Sequence, residues 1–152
     1  MSVFIEAVEP KPRLFVFGAG TIGRPLVALA QSCGFELTVV DARADQARPE
    51  RFPGAVVLCR DPEEAARDLP IGPDDHACVV THDHALDARV AGILVRRPLA
   101  FLGMVGSRTK QRALVERLRA EGITDGEIAR LRTPLGLAIG ANTPEEIAVS
   151  VV

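Results

Sequence analysis

Three short stretches of this 152-residue chain carry groups able to do chemistry. Gly18-Ala19-Gly20-Thr21-Ile22-Gly23 spaces its glycines as a pyrophosphate-binding turn does. The first permits a tight turn, the second a close backbone approach to phosphate, and the third close packing of helix on strand. Thr81-His82-Asp83-His84 sets two imidazoles beside a hydroxyl and a carboxylate. The rings could polarise, protonate or ligate, with Asp83 placed to orient either one. Gly106-Ser107-Arg108 adds a hydroxyl and a guanidinium at a helix start, where a cation opposes the helix dipole and a bound anion would compensate. Asp41 follows the glycine turn by about twenty residues, where a ribose-binding carboxylate belongs.

Each group has a plainer role beside the chemical one. Ser107 suits an N-cap as well as a phosphate contact. His82 and His84 could be solvated rings at a capped helix end. Asp41 could merely cap the turn after it, and Arg43 nearby could accept a 2′-phosphate instead of leaving a free ribose. Metal binding needs a third and usually a fourth ligand, and Asp87 is the one obvious local addition. No metal site is expected.

The elements that must position these groups alternate. Strand segments fall at 13–17, 36–40, 55–59, 76–80 and 99–104, and helical segments at about 22–33, from 62 to Leu69-Pro70, 85–96, 108–120 and 125–131. A last helix starts at Thr143-Pro144-Glu145-Glu146, after an irregular apolar stretch at 133–141. Asp61-Pro62-Glu63-Glu64 has the same pattern of N-cap, first-turn proline and acids. Such alternation predicts an α/β fold: a doubly wound parallel sheet, Rossmann-like, ordered 3-2-1-4-5 in a three-layer αβα sandwich. Residues 1–12 read as a polar, loosely ordered leader, and 13–152 as a single domain. Ligands of such sheets lie beyond the carboxyl ends of the strands where strand order reverses, which brings the three stretches together.

Composition narrows the partners. Eighteen basic and 20 acidic residues give a net charge of −2, unlike a nucleic-acid or membrane-surface binder. With no Trp or Tyr and six Phe, the chain lacks a stacking platform for single strands. Nothing approaches a membrane span or a signal peptide, so a cytoplasmic protein is expected. Cys33, Cys59 and Cys78 form no CxxC pair and are expected to be buried free thiols.

The glycine turn, Val80-Thr81-His82-Asp83-His84-Ala85-Leu86-Asp87, Gly106-Ser107-Arg108-Thr109-Lys110 and the run PLGLAIGANTPEEIA from Pro134 to Ala148 together resemble the C-terminal Rossmann domain of the XdhC/CoxI family, the xanthine dehydrogenase accessory factors. The resemblance covers nearly all of the chain from Arg13 onward. It implies a protein that binds the molybdenum cofactor, as molybdopterin or its dinucleotide, protects it during maturation and sulfuration, and delivers it to an apo molybdenum hydroxylase. It also implies a homodimer that meets a sulfur donor such as a cysteine desulfurase. By motif position Gly18, Gly20, Gly23, His82, Asp83, Ser107 and Arg108 would line the pterin-phosphate site, with Thr21, Asp41, Thr81, His84 and Gly106 beside them. The chain departs from the family in carrying Thr21 where a histidine is usual and Ala138 where an acid is usual. Family members also carry an N-terminal domain with a cysteine motif, and a separate cysteine-containing subunit is the corresponding expectation. Two readings from other classes stand beside this one: a small NAD(P)-dependent oxidoreductase, and an NAD(P)-binding regulatory module.

Overall fold

Period-two patterning builds the centre of the molecule. In the computed structural model, which describes Val3, Phe4 and residues 10–152, strand β1 (Arg13–Phe17) points Phe15 and Phe17 to one face and Leu14 and Val16 to the other. Strand β2 (Glu36–Asp41) and strand β4 (His76–Val79) split in the same way: Val40, Ala77 and Val79 to the first face, Leu37, Val39 and Cys78 to the second. Both faces are therefore apolar, as a parallel sheet covered on both sides requires. Strands β3 (Val56–Cys59), β5 (Phe101–Met104) and β6 (Leu131–Arg132) complete a six-stranded parallel sheet in the order β3-β2-β1-β4-β5-β6.

The expected fold class and the order of the first five strands hold. The sixth strand, only two residues long, stands where the sequence pattern suggests the end of a helix. Its pairing is tertiary, Leu102 with Leu131 and Gly103 with Arg132, and two residues show no alternation to read.

Helices α1 (Gly23–Ser32) and α6 (Pro144–Val151) cover the second face, with Leu26, Val27, Ala30 and Ala148 in its core. Helices α2 (Pro62–Asp68), α3 (His84–Leu94) and α4 (Arg108–Ala120) cover the first face through Ala65, Ala66, Val90, Ala91, Leu94, Leu114 and Leu118. Helix α5 is a single turn, Asp125–Ile128, shorter than the sequence pattern suggests. The expected leader at 1–12 lies largely outside the described residues. Among the described residues no helix is long and apolar enough to cross a membrane.

The helix starts follow the capping chemistry closely. Asp61 accepts from the backbone N–H groups of Glu63 (2.8 Å) and Glu64 (3.0 Å). Thr124 and Thr143 each form a capping box, with Glu127 and Glu146 as the reciprocal partners. Asp61→Ala is expected to lower stability by about 1 kcal/mol, the usual cost of a lost N-cap. Thermal unfolding should record a drop of roughly 2–4 °C, and Asp61→Asn should recover most of it.

Candidate functional site

Strand order reverses between β1 and β4, which opens a crevice at their carboxyl ends. The glycine turn forms one wall. Gly18 has φ +125°, and a Cβ added to it would overlap the Val80 carbonyl and stand 2.9 Å from Thr81 N. Turn and β4 exit thus touch backbone to backbone, which only glycine permits. Gly23 abuts the Gly18 carbonyl in the same way. Gly20 differs: a Cβ there would meet only Arg43 Nη2, at 3.5 Å. Gly18 and Gly23 close the turn on backbone, while Gly20 faces only the tip of the Arg43 side chain.

Helix α1 begins at this turn without a side-chain cap, since its N-cap Ile22 offers no oxygen, and without an acid in its first turn. The other five α-helices of the described residues all have a side-chain cap. In its first turn Arg24 N is bonded to Gly20 O (3.1 Å) and Pro25 has no N–H, so the donors left for an anion at this positive end of the dipole are Gly23 N and the N–H groups of the turn before it. Thr21, beside Gly20, is exposed.

Asp41 fastens the turn from behind. Its Oδ2 accepts from Ala19 N (2.9 Å) and Arg43 Nη2 (2.8 Å), and its Oδ1 accepts from Arg43 N and Arg43 Nε (both 2.9 Å). Four donors occupy the four lone-pair sites of a carboxylate. Burial pushes the Asp41 carboxyl up, but the Arg43 guanidinium and the two backbone N–H donors outweigh it and hold it below the ordinary range. A carboxylate so used has no acceptor left for a ribose hydroxyl, and Arg43 is engaged with it rather than free for a 2′-phosphate.

After β4 the groups divide their work. Asp83 is the N-cap of α3, accepting from Ala85 N at 2.8 Å, and so does not orient an imidazole. The residue beside an imidazole is Asp87, fully buried, with Oδ2 3.5 Å from His84 Nδ1. Its Oδ1 accepts from Thr81 N (2.9 Å) and Thr81 Oγ1 (2.7 Å), tying the strand exit to the helix. Burial pushes the Asp87 carboxyl up, against the pull of the Thr81 donors and His84. His82 and His84 are exposed. Among the described residues no cluster of His, Cys, Asp and Glu could hold a metal ion.

After β5, Ser107 caps α4, accepting from Lys110 N at 3.4 Å. Arg108 is the first residue of α4, and its side chain lies outside the described residues. Gly106 borders two cavities. One, of about 530 Å³, runs from Ile22 at the α1 start past Val105 and Gly106, under a roof formed by Pro134–Ala141. The other, about 300 Å³, lies between α3 and α4, with His84, Lys110 and Arg117 around an apolar floor that includes Met104 and Leu114. Two buried oxygens without a hydrogen-bond partner lie behind residues that line these cavities: Asp87 Oδ2, 3.5 Å from His84 Nδ1, and Thr133 Oγ1, 3.4 Å from where a Gly106 Cβ would be.

The crevice thus collects the glycine turn, Thr81–His84 and Gly106–Ser107. Sequence reasoning missed the roof and the role of Asp87. The roof's signal was its glycine-rich apolar run, whose backbone is pinned to α6 by Leu137 N donating to Ser150 O at 2.8 Å. The three cysteines are corrected in part: Cys78 is buried, its thiol pushed up to about 12 by burial, but Cys33 and Cys59 are exposed.

Comparisons with known proteins agree with this architecture. A family profile described as the XdhC Rossmann domain matches residues 14–152. The chain is 36% identical to the uncharacterized protein YqeB of Escherichia coli strain K12, over all of this chain and 28% of that one. It is also 36% identical to a protein of Bacillus subtilis strain 168 described as a probable xanthine dehydrogenase subunit, over 99% of this chain and 44% of that one. A crystal structure of a xanthine dehydrogenase from Bacillus halodurans superposes with a TM-score of 0.81 at 36% identity, over 93% of this chain and 40% of that one. A Streptomyces aurantiacus imine reductase, at 20% identity and a TM-score of 0.50, shares the fold alone. The chain spans less than half the length of the curated relatives it matches.

Proposed function

The chain belongs to the XdhC Rossmann-domain family, and on that premise we propose that it binds a phosphate-bearing molybdenum pterin, molybdopterin or its dinucleotide, and hands it to a xanthine dehydrogenase-type hydroxylase. One observation carries the reading. An uncapped helix N-terminus opens beside Gly20, and the roofed cavity of about 530 Å³ that begins at Ile22 is of a size to take a pterin-sized body. The residues fit such a group. Gly23 N and the N–H groups of the turn before it would receive the phosphate, Gly20 carries no side chain in their way, and the unpartnered Thr133 hydroxyl stands beside Gly106, which lines the cavity. Once bound, the cofactor supplies the molybdenum chemistry that the target enzyme uses. This chain's part is to hold the phosphate, keep the ring under the 134–141 roof and exclude water.

Asp41 and Arg43 hold each other, so a ribose hydroxyl or a 2′-phosphate there would have to break that pair, which supports a pterin phosphate at the α1 end over NAD or NADP. The name of the B. subtilis relative supports a hydroxylase of the xanthine dehydrogenase type as the recipient. Exposed Leu137, Ile139, Val149 and Val152, on the roof and on α6, suit burial in a homodimer. Exchange of a molybdenum oxo ligand for sulfur extends the same proposal, with a cysteine desulfurase as donor and a separate cysteine-containing protein as partner. The cytoplasm, where apo-hydroxylases are filled, is its setting.

Titration of the purified protein with molybdopterin, its dinucleotide, NAD and NADP tests the reading. Saturable binding of a pterin form is expected, and saturable binding of NAD or NADP alone would overturn it. Gly20→Val should weaken pterin binding at least tenfold with the melting temperature within about 2–4 °C of wild type, because the side chain meets only the flexible Arg43 tip and not the packed turn. Unchanged affinity in that variant would move the site elsewhere.

A further inference from the structure

The buried acid that the sequence offered only as an added metal ligand lies behind one of the exposed histidines. Asp87 is fully buried, and its Oδ1 is taken by both donors of Thr81. Its Oδ2 is equally buried and has no hydrogen-bond partner; the polar atom beside it is His84 Nδ1, at 3.5 Å. A buried carboxylate oxygen without a donor is costly, by more than a typical hydrogen bond contributes. A small adjustment of the exposed imidazole brings Nδ1 within hydrogen-bond range and supplies the donor. One ring nitrogen of His84 is then committed inward, and the other is left for the α3–α4 cavity that His84 borders.

We propose that Asp87 is a positioning residue: it takes the Nδ1 proton of His84 in a hydrogen bond and so fixes the ring in its Nδ1–H tautomer, with Nε2 presented as a hydrogen-bond acceptor to a ligand in the α3–α4 cavity. The second nitrogen follows from the first, since a neutral imidazole carries one proton and the nitrogen that keeps it leaves the other a lone pair. Charged groups surround the ring. Asp83 and Asp87 flank it along the chain, with Asp83 spent on the Ala85 N–H. Lys110 and Arg117 of α4 line the same cavity. From α2, Glu63 is paired with Arg89 at 2.6 Å. The ligand chemistry this selects is an N–H or O–H edge, as on a nitrogen heterocycle, rather than a bare anion. The proposed pterin site lies in the other cavity, beside residues 134–141, and meets this one at Val105 and Gly106, so the inference goes beyond that reading; the tautomer belongs to the protein alone.

The test is a long-range ¹⁵N–¹H correlation spectrum of the ligand-free, uniformly ¹⁵N-labelled protein at about pH 8.5, above the ordinary histidine pKa of about 6.5. The chain has three histidines, and His84→Gln assigns the signals of His84. His84 is expected as predominantly the Nδ1–H form in the wild type. In Asp87→Asn, whose amide oxygen can still serve Thr81 while its NH2 group donates to Nδ1, the ring should switch to the Nε2–H form, while His82 stays unchanged. A wild-type His84 in the Nε2–H form overturns the proposal, since Asp87 would then be donating to Nδ1. So does a tautomer unmoved by Asp87→Asn. Should that variant fail to fold, the wild-type spectrum alone still decides. Failure of the pterin titration with an Nδ1–H ring would refute the cofactor reading and leave the role of Asp87 standing.

Discussion

Gly23→Ala is expected to destabilise the protein by roughly 3 kcal/mol or more, the upper range for overpacking, because the new methyl group has nowhere to go. Its Cβ would stand 3.0 Å from the Gly18 carbonyl carbon and overlap the carbonyl oxygen, and both are backbone atoms. Relief requires α1 to move off β1, and Leu26, Val27 and Ala30 of that helix lie in the second-face core. The strain therefore spreads into packing. Gly18→Ala meets the same obstacle at Val80 and adds a backbone at φ +125°, where side chains are rarely tolerated. Gly20→Ala is the control: its Cβ meets a single guanidinium nitrogen at ordinary contact distance. Chemical denaturation should place Gly20→Ala within about 0.5–1 kcal/mol of wild type, the range of glycine-to-alanine backbone effects, with Gly18→Ala and Gly23→Ala far below. Equal stability in all three variants would mean that the turn is not packed as described.

The contrast between these glycines separates what the sequence discloses from what it hides. GxGxxG after an apolar strand is legible, as are the apolar runs that mark five strands in the right order. The capping pattern of Asp61-Pro62-Glu63-Glu64 and Thr143-Pro144-Glu145-Glu146 locates two helix starts correctly because capping is local, settled within four residues. Roles that depend on distant partners are not legible. Asp41 resembles a ribose ligand by spacing, but the Ala19 N–H and the Arg43 fork take its oxygens. Asp83 resembles the partner of an imidazole because it adjoins both histidines. Along a helix, however, the neighbour of His84 is three residues on, at Asp87, and residues one apart do not face each other. The roof at 134–141 reads as irregular because its order comes from α6 and from the packing of Leu135 against Gly103 of β5, not from its own periodicity.

Asp41→Ala should cost about 2–4 kcal/mol, a range between a single buried hydrogen bond and a fully buried ion pair. The carboxylate is buried, but the Arg43 side chain is 32% exposed and can turn to water, which holds the loss below that of a fully enclosed pair. The Ala19 N–H is the donor that cannot leave: Ala19 is completely buried, so without Asp41 its N–H has no replacement. Asp41→Asn should not rescue the fold, because an amide turns one acceptor oxygen into an NH₂ group facing donors. At about 2–4 °C per kcal/mol for a domain of this size, the melting temperature should fall by roughly 5–15 °C. A double-mutant cycle with Arg43→Ala should give a coupling of about 1–3 kcal/mol. The pH dependence follows from the direction of the shift. The folded carboxyl titrates below its unfolded value of about 3.9, so its contribution is complete above that pH and is lost as pH falls through the lower, folded pKa. Asp75 is lowered too: burial raises it, but Arg13 (Nε to Oδ1 2.7 Å) and Gly72 N outweigh that, so the wild type should lose both contributions together in acid. Asp41→Ala should therefore be closest to wild type in stability below about pH 3 and furthest from it at neutral pH. A stability gap constant from about pH 3 to about pH 7 would show that Asp41 acts through its volume and not its charge. Because the Ala19 N–H sits inside the glycine turn, the same variant should also loosen ligand binding at Gly20, which ties the stability of the turn to whatever anion the α1 N-terminus holds.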